Sequence, residues 1–337
     1  MSKTKCTKPK INMMQETKSK HWANLNEVSF VAGMRLLFWI YRLFGRWPFR
    51  FVLYPVLCWY VLTQKKARQA SRLYLQQLNA HNAMQVSTTF YGVLNHFAAF
   101  AETILDKMLL WGGLFKVDQV EYYGQASLHQ QVENKKGALL ICSHLGNIDM
   151  CRVLSRRYPD IKLTILVHTK HAQSFNRMMA KLNPDSQLDL LQVTEMTPAT
   201  AILLAERVAQ GGFVVIAGDR VPVSPNPRVT MAEFLGKPAA FPIGPYVLAS
   251  LLQCPVYLLF SLPIQGVPQV HFELLSESVN PKRAEREQVF QSLANKYAQR
   301  LNFFCASAPL QWFNFYDFWH PVNRVPTSQL DISDASR

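Results

Sequence analysis

Two short stretches of this chain carry residue types able to move a proton. The first is His144-Leu145-Gly146-Asn147-Ile148-Asp149, which directly follows an apolar run over residues 137–142. An imidazole exchanges a proton near neutral pH. A carboxylate that holds one ring nitrogen in its N–H form leaves the other nitrogen free to take a proton. His144 and Asp149 are therefore read as a catalytic dyad with the spacing His-x4-Asp. The second stretch is Gly218-Asp219-Arg220, directly after the apolar run Phe213–Ala217. Asp219 and Arg220 are candidate substrate-binding residues, as is Arg177, since a guanidinium clamps phosphate through its planar fork. Cys142 lies two positions before His144, so a Cys-His pair is a competing scheme, although a cysteine in an apolar run usually packs as a small hydrophobe. His168 and His171 bring no third ligand at useful spacing, and no metal site is expected.

The elements that must position these residues follow from hydrophobic pattern. Strands are expected at 137–142, 162–167, 188–192, 213–217, 255–260 and 269–275. Helices are expected at 148–157, 171–182, 197–210, 240–252 and 281–304. This alternation predicts an α/β fold, a mixed, mostly parallel sheet flanked by helices. His144 then sits at a strand tip, with Gly146 in a tight turn and Asn147 capping the next helix. Asp219 sits at a second strand end. In a parallel sheet two such ends can open into one crevice.

Composition bounds the rest. The 337 residues are 49% hydrophobic, enough for a sizeable core, and the formal net charge of +14 points to anionic partners. Nucleic acid is not expected, because no recognised nucleic-acid-binding motif occurs. Six cysteines without a Cys-x-x-Cys pair argue for a reduced protein rather than a disulfide framework. Residues 1–22 read as a basic tail and 326–337 as a polar tail. Residues 23–112 read as an N-terminal helical membrane-associating layer, with 66–112 helical throughout, and 113–325 as the α/β domain. Trp39, Tyr41, Trp47, Tyr54, Trp59 and Tyr60 suit the lipid headgroup level. The uncharged run Phe51–Thr63 is shorter than the ~20 residues of an ordinary span and has basic residues on both sides. An in-plane anchor on an anionic membrane surface is expected.

Taken together the motifs resemble the lysophospholipid acyltransferase superfamily, and within it the late acyltransferases of lipid A biosynthesis. The resemblance rests on the basic aromatic N-terminus, His-x4-Asp at 144–149 and Arg177 after an asparagine. It continues through Gly218-Asp219-Arg220, Phe234-Leu235-Gly236 with Gly244 and Leu248-Ala249, and Pro309-Leu310-Gln311-Trp312. It implies direct acyl transfer at the cytoplasmic face of the bacterial inner membrane. The donor would be an acyl-carrier-protein or coenzyme A thioester, and the acceptor a hydroxyl of a lipid or glycolipid. His144 would be the general base, Asp149 its orienting carboxylate, Arg177 and Arg220 phosphate contacts, and Asp219 a contact to acceptor polar groups. Neither metal nor other cofactor is implied. Two other readings use the same residues: an acyl thioesterase that activates water, and a non-catalytic membrane or carrier-protein binding module.

Overall fold

A computed structural model describes residues 39–41, 43–111, 113–115, 117–151, 162–167, 189–192, 197–222 and 227–319. The expected helix at 171–182, both terminal tails and Arg177 lie outside the described residues, as does most of the helix expected at 148–157. The chain divides into two compact units, Met1–Arg46 and Trp47–Arg337. The first is described only at 39–41 and 43–46, where part of the chain is helical.

The second unit begins with three helices, α1 (Trp47–Thr63), α2 (Lys65–Asn82) and α3 (Phe90–Trp111). Leu57 and Val61 of α1 pack on Val93, Leu94 and Phe97 of α3, and Arg50 pairs with Glu102 at 2.6 Å. Arg68 donates to the carbonyls of Val61 and Leu62, placing a cation at the negative end of the α1 dipole. The pattern predicts one continuous helix over 66–112, but the structure breaks it at Ala83, which is left-handed (φ 49°). The Asn79 side chain donates to the Val86 carbonyl and accepts from the Val86 amide, replacing helical bonds across the break. No glycine or proline announces it, which is why periodicity missed it.

The sheet contains β1 (Glu121–Tyr123), β2 (Ala138–Gly146), β3 (Leu163–Val167), β4 (Asp189–Gln192), β5 (Phe213–Ala217), β8 (Val256–Ile264) and β9 (Val267–Ser276), in the order β1-β9-β8-β2-β5-β3-β4. Only β8 and β9 pair antiparallel; the rest are parallel. The mixed, mostly parallel sheet expected from the sequence is therefore present. A short strand, β1, and a separate hairpin, β6 (Val229–Phe234) with β7 (Lys237–Pro242), were not expected. The helix expected from 240 starts later, as α6 (Gly244–Leu252). Leu235 and Gly236 both have positive φ, 51° and 75°, the geometry of a tight hairpin turn, and this fixes residues 237–242 as a returning strand.

Helices α4 (Gln125–Glu133), α5 (Pro198–Ala209), α6 and α7 (Arg286–Ser307) complete the layers. Thr197 caps α5 through a reciprocal bond pair with Thr200. Phe290, Leu293, Tyr297, Leu301 and Phe304 recur at helical spacing along α7 and are buried in the main core.

Candidate active site

Strand β2 is wholly buried over residues 138–143 and lies between β5 and β8, so its C-terminal end is enclosed on both sides. It does not stop at Cys142, as the apolar run implied. It continues through His144 to Gly146, with a register shift against β8 between Cys142 and Gly146. The extension is held by a segment near the C-terminus. Leu145 bridges Trp312, the Gly146 amide donates to the Gln311 carbonyl (2.8 Å), and the Phe313 amide donates to the His144 carbonyl (3.0 Å). Gly146 has φ 65°, and a Cβ there would collide with the Ser261 carbonyl. Only glycine lets the chain turn this close to β8.

The register of β2 against β5 pairs Cys142 with Ala217. Asp219, two residues on, is thereby brought to His144. The Nδ1–H of His144 donates to Asp219 Oδ1 at 2.7 Å, and the His144 amide donates to Oδ2 at 2.8 Å. The indole Nε1–H of Trp312 also donates to Oδ2, at 3.1 Å. Asp219 is 0% exposed, whereas the His144 side chain is 35% exposed. Burial pushes the Asp219 carboxyl up. The charge and hydrogen bond of His144, the positive charge of Arg220 and the His144 amide push it down further, and the net pKa lies below the ordinary carboxylate value.

These contacts revise two expectations. The carboxylate on His144 Nδ1 is Asp219, not Asp149, because Nδ1 carries one proton and Asp219 takes it. Asp219, expected to meet acceptor polar groups, instead has its oxygens turned inward to His144 and Trp312. Asp149 is buried on the 3-10 turn Ile148–Cys151, whose start is capped by Asn147 Oδ1 (3.2 Å from the Asp149 amide), and it pairs with Lys107 of α3 at 2.5 Å. Arg220 is half-buried and donates from Nη2 to the Phe313 carbonyl at 2.7 Å. Cys142 is buried in the sheet, and its carbonyl accepts from the Tyr297 hydroxyl (2.9 Å).

At Arg220 opens a cavity of about 680 Å³ lined almost entirely by apolar side chains, among them Leu166, Ala201, Ile216, Val247, Leu248 and Leu251. It lies where β3 and β5 meet α5 and α6, with Ala217 and Arg220 on its wall.

Over residues 115–320 the chain matches the family model of the bacterial lipid A biosynthesis acyltransferases. The chain belongs to that family. No curated protein matches it in sequence. As a lipid A biosynthesis acyltransferase it is an enzyme of acyl transfer to a lipid acceptor, and the family is membrane-associated.

Three residues around His144, Asp149 and Asp219 carried no signal as site residues in the sequence: Trp312, Lys107 and His96. Trp312 appeared there only within a motif. His96 of α3 is fully buried and its Nε2–H donates to the Trp312 carbonyl (3.0 Å), while Nδ1 accepts from the Ser71 hydroxyl of α2 (2.8 Å). Burial lowers its pKa from 6.5 to about 4, outweighing the bond to Trp312. The unfolded chain therefore protonates this residue first as pH falls. Stability should drop by about 3 kcal/mol as pH falls from about 6.5 to about 4, and a His96→Gln variant should show a flatter profile, read by denaturant unfolding at several pH values.

Proposed function

We propose that this acyltransferase moves a fatty-acyl chain from a thioester donor, carried by acyl carrier protein or coenzyme A, to a hydroxyl of a lipid or glycolipid acceptor, with His144 as general base. The observation that carries the reading is His144 itself. One ring nitrogen is held by a buried carboxylate, and the ring is partly exposed at the end of a strand. Nε2 takes the acceptor hydroxyl proton as the oxygen attacks the thioester carbonyl. The C–S bond then breaks, and the proton passes to the leaving thiolate. Asp219 keeps the imidazole in the tautomer that leaves Nε2 as acceptor and stabilises the imidazolium that forms.

The apolar cavity of about 680 Å³ is where the acyl chain lies, its carbonyl end toward Arg220 and the dyad. Arg220, and Arg177 by the family resemblance, meet phosphate on the donor or acceptor. Asp149, through Lys107, holds the turn after β2 against α3, so it supports His144 from behind rather than through Nδ1. A variant that narrows the cavity, Ala201→Phe, should shift preference toward shorter acyl donors. Turnover should be lost on long chains and kept on short ones, measured across a series of acyl thioesters.

Membrane attachment is supported by α1, and the family resemblance implies the cytoplasmic face of the inner membrane. One side of that helix is buried on α3, while Trp47, Phe51, Val52, Val56, Trp59 and Leu62 are exposed. Among the described residues no helix is long and apolar enough to cross a membrane, which fits the in-plane anchor. The net charge of +14 fits an anionic surface and an acidic carrier protein.

The test is acyl transfer by the purified protein in mixed micelles, with acyl carrier protein and coenzyme A thioesters offered in parallel and lipid products identified by mass spectrometry. Acceptor-dependent ester formation supports the reading. Thioester hydrolysis indifferent to acceptor would make the protein a thioesterase, and binding without turnover would make it a binding module.

A further inference from the structure

We propose that Trp312 is a positioning residue of the acyl-transfer site: its indole N–H fixes the Asp219 carboxylate against His144, while His96 and Ser71 hold Trp312 in place. This rests on His144 acting as the base, and it concerns a residue 168 positions away in sequence from that histidine. Three observations converge on it.

The indole is completely buried, and its N–H is spent on Asp219 Oδ2. A tryptophan needed only for volume would be equally served by a bond to any nearby carbonyl. Here the donor goes to the carboxylate that grips the catalytic imidazole. Oδ1 is left to Nδ1 of His144, while Oδ2 carries the two other donors. This division fixes the rotation of the carboxylate about its Cβ–Cγ bond, so that Oδ1 faces the ring.

The ring is clamped on several sides. Tyr74, Phe234 and Phe318 each lie with ring centroids 5.0 Å from it. Its backbone is clamped as well, by the bridge to Leu145 and by the chain from the Ser71 hydroxyl to His96 and on to the Trp312 carbonyl. A carbonyl only accepts, so Nε2 of His96 carries the proton and Nδ1 is the acceptor for Ser71. The tautomer is set without ambiguity.

The electrostatic consequence follows from charge sharing. A third N–H on the carboxylate draws off negative charge that would otherwise stabilise the imidazolium of His144. Removing it leaves a stronger counter-ion, so His144 holds a proton to higher pH. Other groups facing Asp219 do not mask this. Burial raises the Tyr297 hydroxyl and the Cys305 thiol of α7 well beyond neutrality. From α3, His96 is held neutral by burial, and Lys107 is paired with Asp149.

The experiment places β-(3-benzothienyl)alanine at position 312 of the full-length protein. Sulfur replaces the N–H while ring shape is retained. The Trp312→Phe variant is made in parallel. The rate of carbethoxylation of His144 by diethylpyrocarbonate, which attacks neutral imidazole, is followed by peptide mass spectrometry across the imidazole titration range. The midpoint of that pH dependence should move up by about half a unit or more in the isostere. In acyl transfer, kcat should fall at neutral pH with KM unchanged, and recover as pH rises. An unmoved midpoint in the isostere would overturn the proposal, as would a fall in kcat that pH does not rescue. If Trp312→Phe fails to fold, the isostere decides. Absence of acyl transfer in the parent protein would sink the functional reading alone, because the carbethoxylation midpoint does not depend on turnover.

Discussion

Replacing His144 with alanine is expected to lower kcat for acyl transfer by roughly 10²–10⁴-fold, with KM and melting temperature close to those of the parent. The size follows from the role. A general base acts only as the proton moves, so its loss is felt in the transition state and not in ground-state binding. The fold should tolerate the change because the side chain is 35% exposed and the backbone bonds of His144, to Asp219 and to Phe313, survive truncation at Cβ. The check is steady-state transfer by the purified variant, with melting followed in the same preparation. Turnover within a few-fold of the parent would remove His144 from the mechanism.

Asp219→Asn should be nearly as damaging, with a loss on the order of 10³–10⁴-fold in kcat. The argument is one of tautomers. The amide oxygen can take the place of Oδ2 and still accept from the His144 amide and the Trp312 indole. The amide NH₂ then falls opposite Nδ1, where an acceptor stood. Nδ1 must become the acceptor, the proton moves to Nε2, and the nitrogen that should receive the hydroxyl proton already carries one. The variant is nearly isosteric, so packing around the buried site is kept. Asp149→Asn provides the contrast. It weakens the ion pair to Lys107 but leaves the Nδ1 bond in place. Measuring both variants assigns the orienting carboxylate, since a tautomer loss at Asp149 with little effect at Asp219 would reverse the assignment made from the structure.

The two carboxylates also show how far the sequence reached. His144 was legible because a histidine just after a six-residue apolar run is a local pattern, and strand β2 is where that pattern put it. The strand at Phe213–Ala217 was legible for the same reason, with matching ends. Which carboxylate meets His144 was not local. The count of four residues between His144 and Asp149 suggested the neighbour in sequence. The register of β2 with β5, Cys142 opposite Ala217, delivers Asp219 from 75 residues away. The hairpin at 229–242 was missed because its turn is set by two positive-φ residues, Leu235 and Gly236, of which only the glycine is a recognisable signal. The helix break at Ala83 was missed because a side chain, Asn79, makes it.

By itself, then, the sequence determined the elements and the class of chemistry: a mostly parallel sheet, an imidazole at a strand end, a second charged strand end and an amphiphilic N-terminal layer. These depend on periodicity and residue type, which act over a few residues. Only the tertiary structure decided the partners. Asp219 rather than Asp149 holds the imidazole, Trp312 and His96 stand behind that carboxylate, and the apolar cavity opens at Ala217 and Arg220. Such choices depend on strand order and register, and on which buried polar groups must find one another once water is excluded from the core.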